Sequence, residues 1–359
     1  MRSFSHFYVF LEKVDSKKFF RQGNIMNNCK PGFFFLIWIS LLFLAGGCVF
    51  PAFWSEEYSR EAENEIIENQ EDISHDAIGE NVSVLPQKPV KGGVARVEIS
   101  PFPYPPLALE LENEDYDGSV SEFYWNGKEI NVLLGVSYHN EAAVYDLKLQ
   151  IEFMGHRRMV LPLELKVEEG NYPRQEFSVP PSVTAGWDAE RIKREREKLE
   201  ETRRVHTREL MVEDFFIWPV ENWEEEGYIS SEYGAERVIN HGEPRRHDGI
   251  DIAIEGGTPV VAPNCGKVVL AEEFLSPGKT VVIDHGLGLI STYHHLSEIK
   301  VEAGETISQG EKIGEVGKTG FSTGNHLHWS VHVKDTPINP ELLLEDRGEK
   351  IWGPLLEER

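Results

Sequence analysis

Two short stretches carry side chains that could hold a metal ion. His247-Asp248-Gly249-Ile250-Asp251 offers an imidazole and a carboxylate four residues apart, and His326-Leu327-His328 offers two imidazoles two residues apart. Zn²⁺ takes nitrogen and carboxylate-oxygen ligands, and three protein ligands leave a fourth tetrahedral position open, as in a catalytic rather than a structural site. After His328 the residues Trp329, Val331 and Val333 alternate with Ser330 and His332, which predicts a strand. Residues i and i+2 share a strand face, so His326 and His328 point into one groove while Leu327 turns to the core. One imidazole can then bind the metal while its neighbour stands beside the open position. On a straight strand His247 and Asp251 would lie about 13 Å apart, too far to share an ion with bonds of about 2 Å. Gly249 and the β-branched Ile250 and Ile252 disfavour a helix. The spacing therefore predicts a bend at Gly249, with Asp251 entering a strand. No His-Glu-x-x-His zinc helix occurs in the chain. His-x-x-x-Asp or His-x-His alone would be explained by chance or core packing. Both together within residues 247–328, with a further histidine-bearing strand between them, form a far more specific signal.

The same region resembles the LytM/lysostaphin-type zinc metallopeptidases, which cut bacterial peptidoglycan. The resemblance runs from about Ile229 to about Leu344. It is carried by Ser231-Glu232-Tyr233-Gly234, His247-Asp248-Gly249-Ile250-Asp251-Ile252-Ala253, Gly257-Thr258-Pro259-Val260, Gly266-Lys267-Val268, Val281-Val282-Ile283-Asp284-His285-Gly286, Tyr293-His294-His295-Leu296 and Gly320-Phe321-Ser322-Thr323-Gly324-Asn325-His326-Leu327-His328. It implies that His247, Asp251 and His328 bind one Zn²⁺ and that His295 and His326 are the catalytic pair. None of the five positions is replaced, and Asn325 stands where the family usually has proline. The implied activity is metal-assisted hydrolysis of peptidoglycan peptides. Zinc would supply the nucleophile and polarise the carbonyl, and histidine, with a pKa near ~6.5, suits proton transfer at neutral pH. Either catalytic histidine could be the base. The bond implied is a D-Ala–diaminopimelate cross-link or, alternatively, a glycine bridge. Two further alternatives are a non-catalytic activator of wall amidases and a wall-binding envelope lipoprotein.

The elements around these residues can be placed by composition and pattern. The chain has 359 residues and a net charge of −25, room for two or three domains. That charge argues against nucleic-acid binding, which needs a basic face. Residues 1–48 read as a signal peptide or membrane anchor. The apolar run at 33–47 is short for a membrane span and follows Lys30, a signal-peptide pattern. Ala45-Gly46-Gly47-Cys48 resembles the lipobox of bacterial lipoproteins, with the usual leucine one place early at Leu44. A membrane-anchored lipoprotein exported to the cell envelope through Cys48, an uncleaved anchor and ordinary secretion all follow from this segment. Met26 is an alternative start to Met1. Residues 49–92 are acidic and read as a disordered linker.

Short alternating strands over 93–181, with an Asn126-Gly127 hairpin signal, predict a β-sandwich domain, immunoglobulin-like. There Tyr124 and Trp125 are core residues before they are a glycan platform. Residues 182–211 predict a charged helical linker over 187–210, capped by Asp188 and laced by Glu190/Arg194 and Glu200/Arg204. Residues 212–346 form the LytM-type domain, an antiparallel sheet with an open groove, and 347–359 a C-terminal tail. The fold expected is thus mainly β. On ideal strand alternation only one of His294 and His295 can line the groove, which leaves His294 as a surface or packing residue. His241 and His285 lie near turns, and His332 continues the face of His328 too far along for the same ion. Cys265 is expected as a buried free thiol.

Overall fold

The structure, a computed structural model, describes residues 81–102, 105–113, 115–153, 157–180 and 187–357. The targeting segment with its lipobox, and most of the acidic linker, lie outside the described residues. Among the described residues no helix is long and apolar enough to cross a membrane.

The upstream half is built from β1 (Asn81–Leu85), β2 (Val94–Ser100), β3 (Ala108–Glu112), β4 (Gly118–Trp125), β5 (Ile130–Val136), β6 (Val144–Phe153) and β7 (Arg157–Lys166). They form two antiparallel sheets, ordered β1-β2-β5-β4 and β3-β6-β7. β6 shows why. Tyr145, Leu147, Leu149, Ile151 and Phe153 are buried and alternate with residues that are not. They meet Val97, Ile99, Val132 and Leu134 of the other sheet in one core, so the two sheets make a sandwich. β1 lies inside the stretch read as linker, because Val82 and Val84 pack on this core. The β4–β5 turn uses Gly127 at φ 95°, and Asn126 Oδ1 accepts from the N–H groups of Lys128 and Glu129. Trp125 packs on the sandwich core and donates from Nε1 to the Phe102 carbonyl at 3.0 Å.

β8 (Arg174–Phe177) leaves the sandwich and leads toward α1 (Ala189–Arg204). Asp188 caps α1, accepting from the N–H groups of Glu190 and Arg191. The helix stops at Arg204, short of 210, and Leu210 instead enters the downstream core. Among the described residues its i,i+4 ion pairs are Arg191–Glu195, Lys193–Glu197 and Arg196–Glu200 rather than the expected ones. Arg204 turns away to Asp335 at 3.2 Å.

The downstream half contains β9 (Tyr228–Ser231), β10 (Glu236–Ile239), β11 (Arg245–Arg246), β12 (Ile250–Ala253), β13 (Pro259–Val261), β14 (Gly266–Glu273), β15 (Lys279–Asp284), β16 (Leu289–Leu296), β17 (Glu298–Ile299), β18 (Thr306–Ile307), β19 (Lys312–Glu315), β20 (His326–Val333) and β21 (Thr336–Ile338). Its main sheet is antiparallel, ordered β18-β14-β15-β16-β20-β12-β9, with β21 on β20. A small sheet β11-β10-β8 flanks it, and within it β8 runs parallel to β10. One face of the main sheet buries Val281, Ile283, Tyr293, Leu327, Trp329 and Val331. The opposite face carries His328.

Residues read as a C-terminal tail prove to be helical: α2 spans Glu345–Glu357. Ile351 and Trp352 are 3% and 1% exposed and join the same core. The Trp352 ring stacks on Phe216 at 6.1 Å and 9°, so burial holds this segment in place despite Gly348 and the Gly353-Pro354 step, all poor helix formers.

Candidate metal centre

The site rests on the pairing of β12 with β20, whose register sets Asp251 opposite His328 and Ala253 opposite His326. The chain bends at Gly249 and then enters β12 at Ile250. A Cβ at Gly249 would lie 2.4 Å from the Trp329 carbonyl oxygen and 2.9 Å from His328 Nε2. Only glycine lets the backbone pass so close to β20 at this point. The bend swings His247 back over Asp251. Leu327 is fully buried beneath the two histidines, as strand alternation requires.

His247 Nε2, Asp251 Oδ1 and His328 Nδ1 face one another. The separations are 3.1 Å (His247 to Asp251), 3.0 Å (His247 to His328) and 2.9 Å (His328 to Asp251). Tetrahedral ligands at about 2.0 Å from zinc stand about 3.3 Å from each other, so the triangle is of the size that one such ion spans. Among the described residues this is the group whose ligand atoms converge for a metal. The donor chemistry, two imidazoles and a carboxylate, fits a catalytic zinc or a similar divalent cation.

The surrounding atoms fix which ring nitrogen is free. His247 Nδ1 donates to the Glu232 carbonyl at 2.9 Å, which leaves Nε2 without its proton. Such outer hydrogen bonds orient a metal-binding imidazole. The Arg237 guanidinium donates from Nη2 to Asp251 Oδ2 and from Nε to Ser231 Oγ at 3.1 Å. Asp251 Oδ1 is thereby the oxygen turned to the imidazoles. The Asp248 carboxylate stands 3.6 Å from His328 Nε2, on the far side of that ring from the cluster. Burial lowers the pKa of His247, against the Asp251 hydrogen bond. Burial opposes ionisation of Asp251, but the adjoining His247 and His328 imidazoles outweigh it and hold the carboxyl well below its usual range. Both residues are thus in the protonation state that binds a cation.

His295 and His326 line the same groove with their rings 4.6 Å apart. His295 Nδ1 donates to the Thr319 carbonyl at 2.8 Å, and His326 Nδ1 to the Gly324 carbonyl at 3.0 Å. A carbonyl can only accept, so in the neutral form of each ring Nε2 is the acceptor. Burial, then the neighbouring His326 and His328, push His295 down to about 3. The groove holds about 900 Å³. Its walls include Gln175 to Val179 on one side and Ser276, Pro277 and Phe321 to Asn325 on the other.

The expectation that His294 is excluded from this groove is overturned. His294 pairs with His328 across the strands, stacks on it at 5.2 Å and lines the groove. His295 lines it too, because its backbone takes φ 63° and breaks the alternation. His332 lies further along the face, and His285 is fully buried. Cys265 is free and half-buried. Arg237, Asp248 and the β8 residue Gln175 were missed. Asp248 lies inside the motif, but nothing in the pattern around Arg237 or Gln175 marks either.

Residues 245–340 match the family described as Peptidase family M23. The peptidoglycan DD-endopeptidase ShyA of Vibrio cholerae is 38% identical over 113 residues, which cover 29% of this chain and 26% of that protein. The DD-carboxypeptidase/endopeptidase Mpg of Neisseria meningitidis is 41% identical over 96 residues, 27% of this chain and 22% of that one. The matched region thus spans about a quarter of these curated relatives. A solved peptidase M23 structure from Pseudomonas aeruginosa aligns with a TM-score of 0.53 at 26% identity, covering 71% of this chain and 94% of its own. The motifs and these matches agree: residues 245–340 carry a Peptidase family M23 domain.

Proposed function

We propose that the chain is a zinc metalloendopeptidase that hydrolyses peptide cross-links of bacterial peptidoglycan. The observation that carries this is the triangle of His247 Nε2, Asp251 Oδ1 and His328 Nδ1 beside two histidines with free Nε2 atoms in one groove. The relatives named for peptidoglycan DD-endopeptidase activity support the substrate and favour a D-Ala–diaminopimelate cross-link over a glycine bridge. The sequence of residues 33–48 supports export to the envelope, with Cys48 as the point of lipid attachment.

Zinc held by His247, Asp251 and His328 would supply Lewis acidity and a nucleophile active at neutral pH. The chain's own residues then orient and move protons. His295 and His326 each present Nε2 to the groove; with the pKa of His295 pushed down to about 3, His326 is the one of the pair placed to take the proton of the attacking water, and His295 orients it. The ring that has gained it becomes a donor, first to the oxygen on which charge develops and then to the leaving amine. The carbonyls of Thr319 and Gly324 hold the two rings in the tautomer this requires.

Digestion of purified muropeptides by the zinc-loaded protein, with His326→Ala as control, tests the proposal. Release of unlinked peptides that falls at least about 100-fold in the variant is the expected result. Zinc-loaded protein that leaves every cross-link intact would overturn it.

A further inference from the structure

The small sheet β11-β10-β8 walls the groove, and its register decides which side chains look inward. Arg245 of β11 pairs with Arg237 of β10, which pairs in turn with Gln175 of β8. Residues directly opposite on neighbouring strands project from one face. The three therefore stand in a row, and all three line the groove. Arg237 shows where the row looks, because its guanidinium reaches the Asp251 carboxylate at the metal triangle. Arg245 stands one strand further out, about 5 Å along the sheet.

The charges of this wall are paired except at one point. Arg237 is held by Asp251 and Ser231, and Gln175 accepts from Ser231 at 2.6 Å. Arg246 donates to the Gly234 carbonyl at 3.1 Å, stands 3.6 Å from Glu236 and lies over the Tyr172 ring. Arg174 meets Glu176 at 2.9 Å and Glu236 at 2.8 Å. Asp248, the remaining carboxylate of the groove, stands 3.6 Å from His328. Arg245 is exposed, and among the described residues it has no ion pair and no side-chain hydrogen bond. The chain has 61 acidic residues against 36 Lys and Arg, so this cation is not left over for want of acids. Its planar fork suits a carboxylate, which it can hold by two parallel hydrogen bonds.

We propose that Arg245 selects the cross-link by binding the free carboxylate that diaminopimelate carries beside the scissile amide. The inference rests on the peptidase reading of the site. In a D-Ala–diaminopimelate cross-link the carbon that bears the amide nitrogen also bears a carboxylate. An anion thus arrives within a few bonds of the bond to be cut, and the row carries its unpaired guanidinium about one strand spacing beyond the Arg237–Asp251 contact. A glycine bridge has no such anion, and Arg245 would add nothing to its binding.

The test compares two cross-linked peptide dimers, one with this carboxylate free and one with it amidated. Cleavage is measured on the full zinc-loaded chain, unaltered and with Arg245→Ala or Arg245→Lys. Binding on the His326→Ala background reports recognition without turnover. The unaltered chain should favour the free carboxylate at least about tenfold in kcat/KM, most of it in KM, with the same preference in binding. Arg245→Ala should abolish the preference, so that amidation and mutation together cost no more than either alone. Arg245→Lys should keep part of it. Equal losses on both dimers, or a preference that survives Arg245→Ala, would overturn the anchor. Cleavage of both dimers without preference would sink the anchor and keep the hydrolase. A binding preference that vanishes in Arg245→Ala, with neither dimer cut by the His326-containing chain, would do the opposite. Neither binding nor cleavage would overturn both.

Discussion

Arg237 binds Oδ2 of Asp251 and, through Nε, the hydroxyl of Ser231, so one guanidinium decides which carboxylate oxygen meets the imidazoles. Outer partners of this kind typically change metal affinity by about 10–100-fold. Arg237→Ala should weaken zinc binding on that scale, as read by competition with a chelator. Arg237→Lys should recover only part of it, since a point charge cannot hold two partners in one plane. Affinity unchanged in the alanine variant would remove Arg237 from the site's support. His285 allows a test on stability. It donates to the Cys265 carbonyl and accepts from Ser291, and burial pushes its pKa down to about 4. Unfolded, it would titrate near ~6.5. Between those values the unfolded chain binds more protons, so this contribution is complete above about pH 6.5 and is lost as pH falls toward 4. It amounts to at most about 3 kcal/mol. Urea unfolding from pH 7 to 4 should show a shallower acid loss in His285→Gln, and parallel curves would refute the assignment. At this scale residue type and spacing foretold which side chains would meet, as with His247, Asp251, His326 and His328 in one groove. It misled at His294, because the alternation rule assumes an ideal strand and His295 sits at φ 63°.

At the scale of elements, Gly249 lets β12 approach β20 closely enough to bring Asp251 against His328. Gly249→Ala forces its new methyl into the Trp329 carbonyl and the His328 ring. Overpacking of this sort costs about 1–3 kcal/mol, and here the strain falls on a side chain of the proposed metal site. Stability and zinc affinity should therefore drop together, measured by urea unfolding and metal titration. A variant normal in both would show that the two strands can separate freely. The bend itself could be read from the sequence, since neither a straight strand nor a helix satisfied the His247–Asp251 spacing. β8 could not, because Arg-Gln-Glu-Phe has no apolar alternation and is a strand only through its pairing with β10. α2 was hidden for a related reason. Its local residues are poor helix formers, and the burial of Ile351 and Trp352 that overrides them belongs to the assembled core.

Across the whole molecule, the sandwich and the downstream half share a core, for Val94 and Leu133 of the sandwich are buried among residues of the main sheet. Their contact is also polar: the Glu122 N–H donates to the Leu287 carbonyl at 2.8 Å, its carboxylate meets Lys334 at 3.1 Å, and Thr336 donates to Ser119 at 2.8 Å. Calorimetry should show one unfolding transition for both halves, divided in Leu133→Asp, where a buried charge breaks the shared core. Two well-separated transitions in the unaltered protein would contradict this. The division into an upstream β unit and a downstream sheet was visible in the patterning, whereas their common core was not, since strand periodicity shows which face is buried but not what buries it. The stacking of Phe216 on Trp352 has a kinetic consequence. It joins the first and last parts of the downstream half, and contacts so distant along the chain form late and slowly. The imidazoles of His247 and His328 likewise meet across 81 residues. No early fragment of the chain can assemble that triangle, so completion of folding is itself the timer that decides when this site first exists.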